Sequence, residues 1–482
     1  MLTLATILDA LQKNSANFAF PREGTLRADD VIISDAVIDS RRASPGALFV
    51  ALKGENVDGH DFVADAFQRG ASLALIERPI RGDFPTLDLR HAAIHTSQSF
   101  HFGQPVCLLA EDSLQALQHV AHFWRRKLPA RVIGITGSVG KSTTKEAVAD
   151  ILAQRYHTLR NEGNLNNEIG LPLSLLRLTE EHERAVLEMG FYVPGEIAFL
   201  CEIAQPEVGV ITNIGSVHAE RAGSYAAIAS GKAELIQSLP AHGVAVLNYD
   251  DEWVRSMADK TSAQVFFYGM TPAADLWADH VRGLGLDGVS FVLHHQGEEI
   301  HVHTPMLGTH SVQTSLRAAA VALLEGLTWQ EIHTCLQNLH NRLRMLPTHT
   351  SRGALVLDDT YNASPESTLA ALNLLAEVQG RKIAILGDML ELGPYEIEGH
   401  QQVGLRVAKV AEQLITVGVR AHTIAASART AGLSPENIRE FETSQEAAAY
   451  LQDRFSQGDT ILVKGSRGVH MEKIIDALEV IP

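Results

Sequence analysis

Cysteine is scarce in this chain. Three thiols, Cys107, Cys201 and Cys335, are spread over 482 residues. That is too sparse for a disulfide framework or a cysteine-rich metal knot, and it reads as buried thiols in a reducing compartment. Basic charge is short as well: 40 Lys and Arg stand against 57 Asp and Glu, a net charge of −17. Nucleic acid is thereby excluded as a general partner, because a phosphate backbone needs a basic surface. An anionic substrate has to be met by Lys and Arg placed locally. No apolar run approaches the roughly 18 residues of a membrane span, so no membrane insertion is expected. Internal repeats and low-complexity segments are missing. Residues Met1 to Asp9 lack the basic start of a secretory signal and look like an amphipathic helix. What remains is a soluble globular chain, expected in the cytoplasm, with room for about three domains of roughly 150 residues each.

The most informative segment runs from Val132 to Thr144, reading VIGITGSVGKSTT. An apolar run enters a glycine-bounded turn, Lys-Ser follows, and a helical stretch continues to Leu152. In a strand–loop–helix of this kind, backbone N–H groups and the helix N-terminus surround phosphate oxygens. Lys141 would reach the β- and γ-phosphates and the Ser142 hydroxyl would ligate Mg²⁺. The spacing departs from GxxxxGK[ST] by one extra residue after Gly134.

The chain divides into three blocks. The first, residues 1–127, has strand-like runs at Val31–Ile33, Leu48–Leu52 and Leu73–Ile76 and a helix from Ser113 to Lys127. Pro129 then breaks the pattern. The second, residues 128–342, alternates helices with apolar runs at Ala185–Met189, Val208–Asn213 and Val244–Asn248. That alternation predicts a mainly parallel sheet covered on both faces, with chemistry at the strand carboxyl ends, where Glu188, Asn213 and Asn248 sit. Residues 276–303 read as short antiparallel strands. The third, residues 343–482, repeats the α/β alternation with strands near 355–359, 383–388, 413–418 and 460–465. The fold class is therefore α/β in three domains: a mixed first domain, a central phosphate-loop domain and a Rossmann-like last domain.

Several side chains could carry chemistry. Glu188 ends a strand, and beside the phosphate loop it reads as a Mg²⁺ ligand. His218 alone reads as a solvated loop histidine, and Lys232 alone as a surface lysine. Asn164, Asn166 and Asn167 crowd a helix start, with more donor capacity than one cap uses. Asp358 and Asp359 suit either a turn before a helix or contact with ribose or metal. His294, His295, His301 and His303 flank a predicted hairpin, but zinc sites usually also draw on cysteine or carboxylate.

Taken together, these fragments resemble the Mur ligase family over essentially the whole chain. The first block carries DSRRASPGALFVALKG from Asp39 to Gly54 and DGHDF from Asp58 to Phe62. TGSVGKST is similar to that family's phosphate loop, which accounts for the extra residue. Lys464-Gly465-Ser466-Arg467 resembles its KGSR element. Four segments, 164–172, 187–190, 359–365 and 387–393, resemble the branch that adds a D-dipeptide.

The resemblance implies an ATP-dependent amide ligase that joins D-alanyl-D-alanine to UDP-N-acetylmuramoyl-tripeptide through an acyl phosphate, acting as a monomer. It implies that Gly137, Ser138, Val139, Gly140, Lys141, Ser142, Thr143, His310, Arg342, Asp359 and Asn362 bind ATP. It places Mg²⁺ on Ser142, Glu188, His218 and a carbamylated Lys232, with Lys141, Lys232, His218 and Glu188 as the catalytic set. Ser40, Arg41, Asn166, Asn167, Lys464 and Ser466 would bind the other substrates. Two positions depart from the family pattern: Ser311 and Thr314 stand where asparagines are usual, and Asn341-Arg342 replaces Gly-Arg. The alternatives are the tripeptide-forming ligase of the same family, folylpolyglutamate synthase, which the first block disfavours, and a nucleotide-binding protein without catalysis.

Overall fold

The structure, a computed structural model, describes residues 1–11, 28–90, 95–96, 104–339 and 347–481. It contains three sheets, mainly parallel, as the α/β reading expects. The first sheet has β1 (Ala36–Val37), β2 (Leu48–Val50), β3 (Leu73–Ile76), β4 (Thr86–Asp88), β5 (His95–Thr96) and β6 (Val106–Leu109), in the spatial order β1-β2-β3-β6-β4-β5. Its pairs are parallel apart from β4 with β5.

The second sheet has β7 (Arg131–Thr136), β8 (Thr158–Arg160), β9 (Arg184–Glu188), β10 (Val208–Ile211), β11 (Val244–Asn248), β12 (Gln264–Gly269), β13 (Leu276–Gly283), β14 (Val289–His295) and β15 (Glu298–Thr304). The order is β15-β14-β13-β12-β11-β10-β7-β9-β8. The strands from β13 to β15 pair antiparallel, as expected, but run seven or eight residues each. The third sheet has β16 (Pro347–Thr350), β17 (Leu355–Asp359), β18 (Arg381–Gly387), β19 (Gln413–Val417), β20 (Ile438–Phe441), β21 (Asp459–Lys464) and β22 (Val480–Ile481), ordered β20-β19-β18-β21-β17-β16-β22.

By internal contacts the chain forms two units. One comprises 1–134, 156–190 and 196–207; the other comprises 135–155, 191–195 and 208–482. In the first unit the Ser113–Arg126 helix starts at Asp112, whose carboxylate accepts from Gln115 N at 2.9 Å. Its apolar face carries Trp124, whose indole N–H reaches Leu178 O at 2.9 Å, while Arg125 Nε reaches Ala204 O at the same distance. In the second unit the last sheet shows the period of two that a doubly covered strand requires. Leu357, Leu386, Leu414 and Leu462 pack on one face, and Val356, Ile385, Ile415 and Ile461 on the other.

One expected strand is absent. Val31–Ile33 makes a single bridge, Ile32 with Thr3, and the strand is Ala36–Val37. The apolar run instead braces the N-terminal helix, with Leu4 N bonded to Val31 O and Ile33 N to Leu2 O. The three cysteines are free and buried. Among the described residues no helix is long and apolar enough to cross a membrane.

Candidate active site

The phosphate loop leaves β7 and opens the Lys141–Leu152 helix. Two glycines shape it. Gly137 has φ +145°, and a Cβ there would lie 1.8 Å from Thr212 Oγ1; Gly140 has φ +83°. Both conformations favour glycine. The end of β10 pins the loop. Ser138 N donates to Asn213 O and Val139 N to Asn213 Oδ1, each at 2.9 Å, and Thr212 Oγ1 donates to Val139 O at 2.7 Å. Asn248 Nδ2 and Tyr268 Oη in turn donate to Thr212 O at 3.1 and 3.0 Å. Burial pushes the Tyr268 phenol up to about 12, so it stays a donor. Lys141 Nζ curls onto Gly137 O at 2.9 Å and Ser138 O at 3.2 Å. Ser142 and Thr143 form the first turn of the helix behind it.

Lys232 is buried, not the surface residue its sequence context suggests. It lies in the Tyr225–Gln237 helix, and Nζ donates to Gly137 O at 3.0 Å over the Phe191 ring. Burial, helped by the Lys141 charge, holds its pKa well below the ordinary 10.5. A lowered pKa favours the uncharged amine, the form that reacts with carbon dioxide. His218, at φ +67°, faces Glu391 with Nδ1 2.7 Å from Oε2 and packs edge-on against Tyr192. Burial lowers the His218 pKa, and the hydrogen bond from His218 lowers that of Glu391.

Glu188 belongs to the first unit and is 3% exposed. Oε1 accepts from Asn166 Nδ2 at 2.8 Å, while Oε2 is buried with no hydrogen-bond partner among the described residues. An orphaned buried carboxylate oxygen suits a hard cation. Among the described residues no three His, Cys, Asp or Glu cluster as a ready-made metal site. Any Mg²⁺ therefore needs a mixed set of hydroxyl, carboxylate and substrate oxygens. Asn167 behaves as a cap, accepting from Gly170 N at 2.9 Å. Ser40 is buried in a short 3₁₀ turn, and Arg41 pairs with Asp39 at 2.6 Å at the surface.

A second cluster lies at the strand ends of the last sheet. Lys464, 2% exposed, donates to Asp359 Oδ2 at 2.6 Å and Asn362 O at 2.8 Å. Ser466 Oγ accepts from Leu390 N at 2.9 Å and lies 3.4 Å from Ala363 O. Asp359, Asn362, Lys464 and Ser466 therefore form one site, assembled from β17, β21 and their loops. His310 is exposed beside the start of the Ser311–Leu324 helix. Ser311 Oγ bonds Met306 O at 3.3 Å, and Thr314 Oγ1 accepts from Arg317 Nη2 at 3.0 Å. Arg342 lies outside the described residues.

Sequence reasoning missed three contributors. Glu366 accepts from Ser216 N at 3.1 Å, Glu391 faces His218, and Arg317 is buried against the phosphate loop. Arg317 alone carried a signal: it is a single cation in the apolar run Leu316 to Leu324.

Three family matches follow the chain. They are Mur ligase family, catalytic domain, over 33–98; Mur ligase middle domain, over 135–322; and Mur ligase, glutamate ligase domain, over 341–467. The chain is 35% identical over 461 residues to the UDP-N-acetylmuramoyl-tripeptide–D-alanyl-D-alanine ligase of Escherichia coli K12, covering 95% of this chain and 96% of that one. MurF from Acinetobacter baumannii superposes with a TM-score of 0.82 at 30% identity, covering 99% of this chain and 98% of that one. MurF ligase from Thermotoga maritima, solved in complex with ADP, gives 0.77 at 28% identity, over 93% and 98%.

Proposed function

The chain belongs to the Mur ligase family, and on that premise we propose that it joins D-alanyl-D-alanine to UDP-N-acetylmuramoyl-tripeptide. The products are the UDP-linked pentapeptide, ADP and phosphate, a step in cytoplasmic peptidoglycan precursor synthesis carried out by a monomer. The name of the Escherichia coli relative supports the substrates, and the ADP in the Thermotoga maritima structure supports the nucleotide. The observation that carries the reading is Lys232, fully buried with Nζ on the carbonyl of the first glycine of the phosphate loop. The three-domain division at 1–127, 128–342 and 343–482 is part of the proposal.

The tripeptide carboxylate attacks the γ-phosphorus and ADP leaves. The dipeptide amine then attacks the acyl carbon, loses a proton and expels phosphate. The loop amides from Gly137 to Thr143 cradle the nucleotide phosphates, and Lys141 swings from the loop carbonyls to the transferring oxygens. Ser142, His218 and carbamylated Lys232 would hold Mg²⁺, which supplies charge neutralisation at those oxygens when bound, and the orphaned Glu188 Oε2 would ligate Mg²⁺ as well. Arg342, His310, Asp359 and Asn362 complete the nucleotide site. Lys464 and Ser466 lie at the acyl site, and Ser40, Arg41, Asn166 and Asn167 take the UDP-sugar peptide. Water has to be kept from the acyl phosphate. Glu366 on Ser216, Glu391 on His218 and Tyr395 edge-on to Tyr225 hold the last sheet's loops over the segment that follows β10.

The competing reading is the tripeptide-forming Mur ligase. A substrate panel separates them: the proposal expects mass-verified pentapeptide from UDP-MurNAc-tripeptide and D-alanyl-D-alanine. It expects no product from UDP-MurNAc-dipeptide with lysine or diaminopimelate, and the reverse pattern refutes it.

A further inference from the structure

Arg317 sits in the Ser311–Leu324 helix, which packs along the Lys141–Leu152 helix of the phosphate loop. The residue is 4% exposed, yet no carboxylate among the described residues pairs with it. Its neighbours are the Thr314 hydroxyl, 3.0 Å from Nη2, and Tyr268, whose ring centre lies 5.8 Å from the guanidinium carbon. Nε is buried and has no hydrogen-bond partner among the described residues. Nη2 points at the loop: a Cβ built on Gly140 would lie 3.3 Å from it, with no other atom within 4 Å.

A buried guanidinium without a counter-charge is costly, and one retained against a phosphate-binding loop needs an anion to complete it. The planar fork suits a phosphate oxygen, and Nη2, which faces Gly140, is the nitrogen placed to meet it. We propose that Arg317 is a nucleotide-binding residue, closing on a phosphate oxygen of the nucleotide at the Gly140 side of the loop, with Thr314 as the residue that positions it. The inference rests on the reading that the loop binds ATP. It gives Thr314 a purpose that a threonine-for-asparagine exchange alone does not suggest: a short hydroxyl accepts from Nη2 and holds it beside Gly140.

Calorimetric titration of ADP and of adenosine into the full chain tests it, using wild type, Arg317→Met, Arg317→Lys and Thr314→Val. Loss of a charge-assisted bond predicts that Arg317→Met weakens ADP by about 10- to 100-fold, with adenosine unchanged. Arg317→Lys should lose less, because it keeps the charge without the fork. Thr314→Val should fall between Arg317→Lys and wild type. Without ligand, Arg317→Met should melt no lower than wild type, since an unpaired buried charge has gone, and its stabilisation by ADP should shrink. Unchanged ADP affinity in Arg317→Met overturns the inference. So does equal loss of ADP and adenosine, or a lowered unliganded melting temperature with the ADP shift intact, either of which marks a purely structural cation. Should Arg317→Met not fold, the comparison of Arg317→Lys with Thr314→Val decides: wild-type ADP affinity in both overturns it. Failure of wild type itself to bind ADP overturns the ligase reading instead.

Discussion

His218 Nδ1 lies 2.7 Å from Glu391 Oε2, joining the loop that follows β10 to the loop that follows β18. Burial lowers the His218 pKa, so the unfolded chain takes up that proton more readily. The burial of His218 therefore makes stability rise with pH from the lowered His218 value to its ordinary 6.5, with a flat course above that. Glu391 has a lowered pKa, and its contribution is lost as pH falls from about 4.5 through that lowered value. Melting temperature measured against pH should show a shallower acid slope in His218→Gln than in wild type. Superimposable curves would remove the contact from the account.

Lys232 is predicted to work as its carbamate. Its buried amine, in the uncharged form that the lowered pKa favours, adds to carbon dioxide to give an anion and a proton. Enzyme depleted of carbon dioxide should lose turnover, and bicarbonate should restore it. Lys232→Ala should lose about 100-fold or more and ignore bicarbonate. Turnover of Lys232→Ala at the wild-type rate would disprove the role.

Gly137→Ala is predicted to fail structurally and functionally at once. The new methyl would sit 1.8 Å from Thr212 Oγ1 at a φ of +145°. Overpacking and backbone strain of this kind cost about 1–3 kcal/mol each. Denaturant melts should show that loss, and ADP binding should be abolished. Near-native stability with intact binding would contradict the loop geometry.

Lys464 and Asp359 are predicted to be coupled. Lys464→Met leaves a half-buried carboxylate without its cation, and breaking a buried pair from one side costs about 3–5 kcal/mol. Lys464→Met with Asp359→Asn should recover much of the stability and none of the turnover. A double-mutant cycle checks this, and additive losses would show the pair to be independent.

Much of this arrangement can be read from local sequence. The strand–loop–helix from Val132, the strand ends at Glu188 and Asp359 and the antiparallel annex after Leu276 follow from apolar period and glycine placement alone. Burial is less legible. Lys232 lies in an ordinary-looking helix, and only the Gly137 carbonyl and the Phe191 ring, distant in sequence, make it an interior amine. Glu366 and Glu391 look like a first-turn acid and a loop acid until Ser216 and His218 arrive from another sheet. Asn166 and Asn167 look alike in sequence. Yet one orients Glu188 and the other caps a helix. Val31–Ile33 shows the opposite error, since β-branched residues made a strand-like run that the fold spends on one bridge.

The central claim is ATP-driven ligation through an acyl phosphate, and phosphate release measured with each substrate omitted in turn tests it most directly. The account predicts inorganic phosphate, not pyrophosphate, one per amide bond formed, and only with ATP, UDP-MurNAc-tripeptide and D-alanyl-D-alanine together. Undiminished release without the dipeptide amine, or release of pyrophosphate, would contradict it.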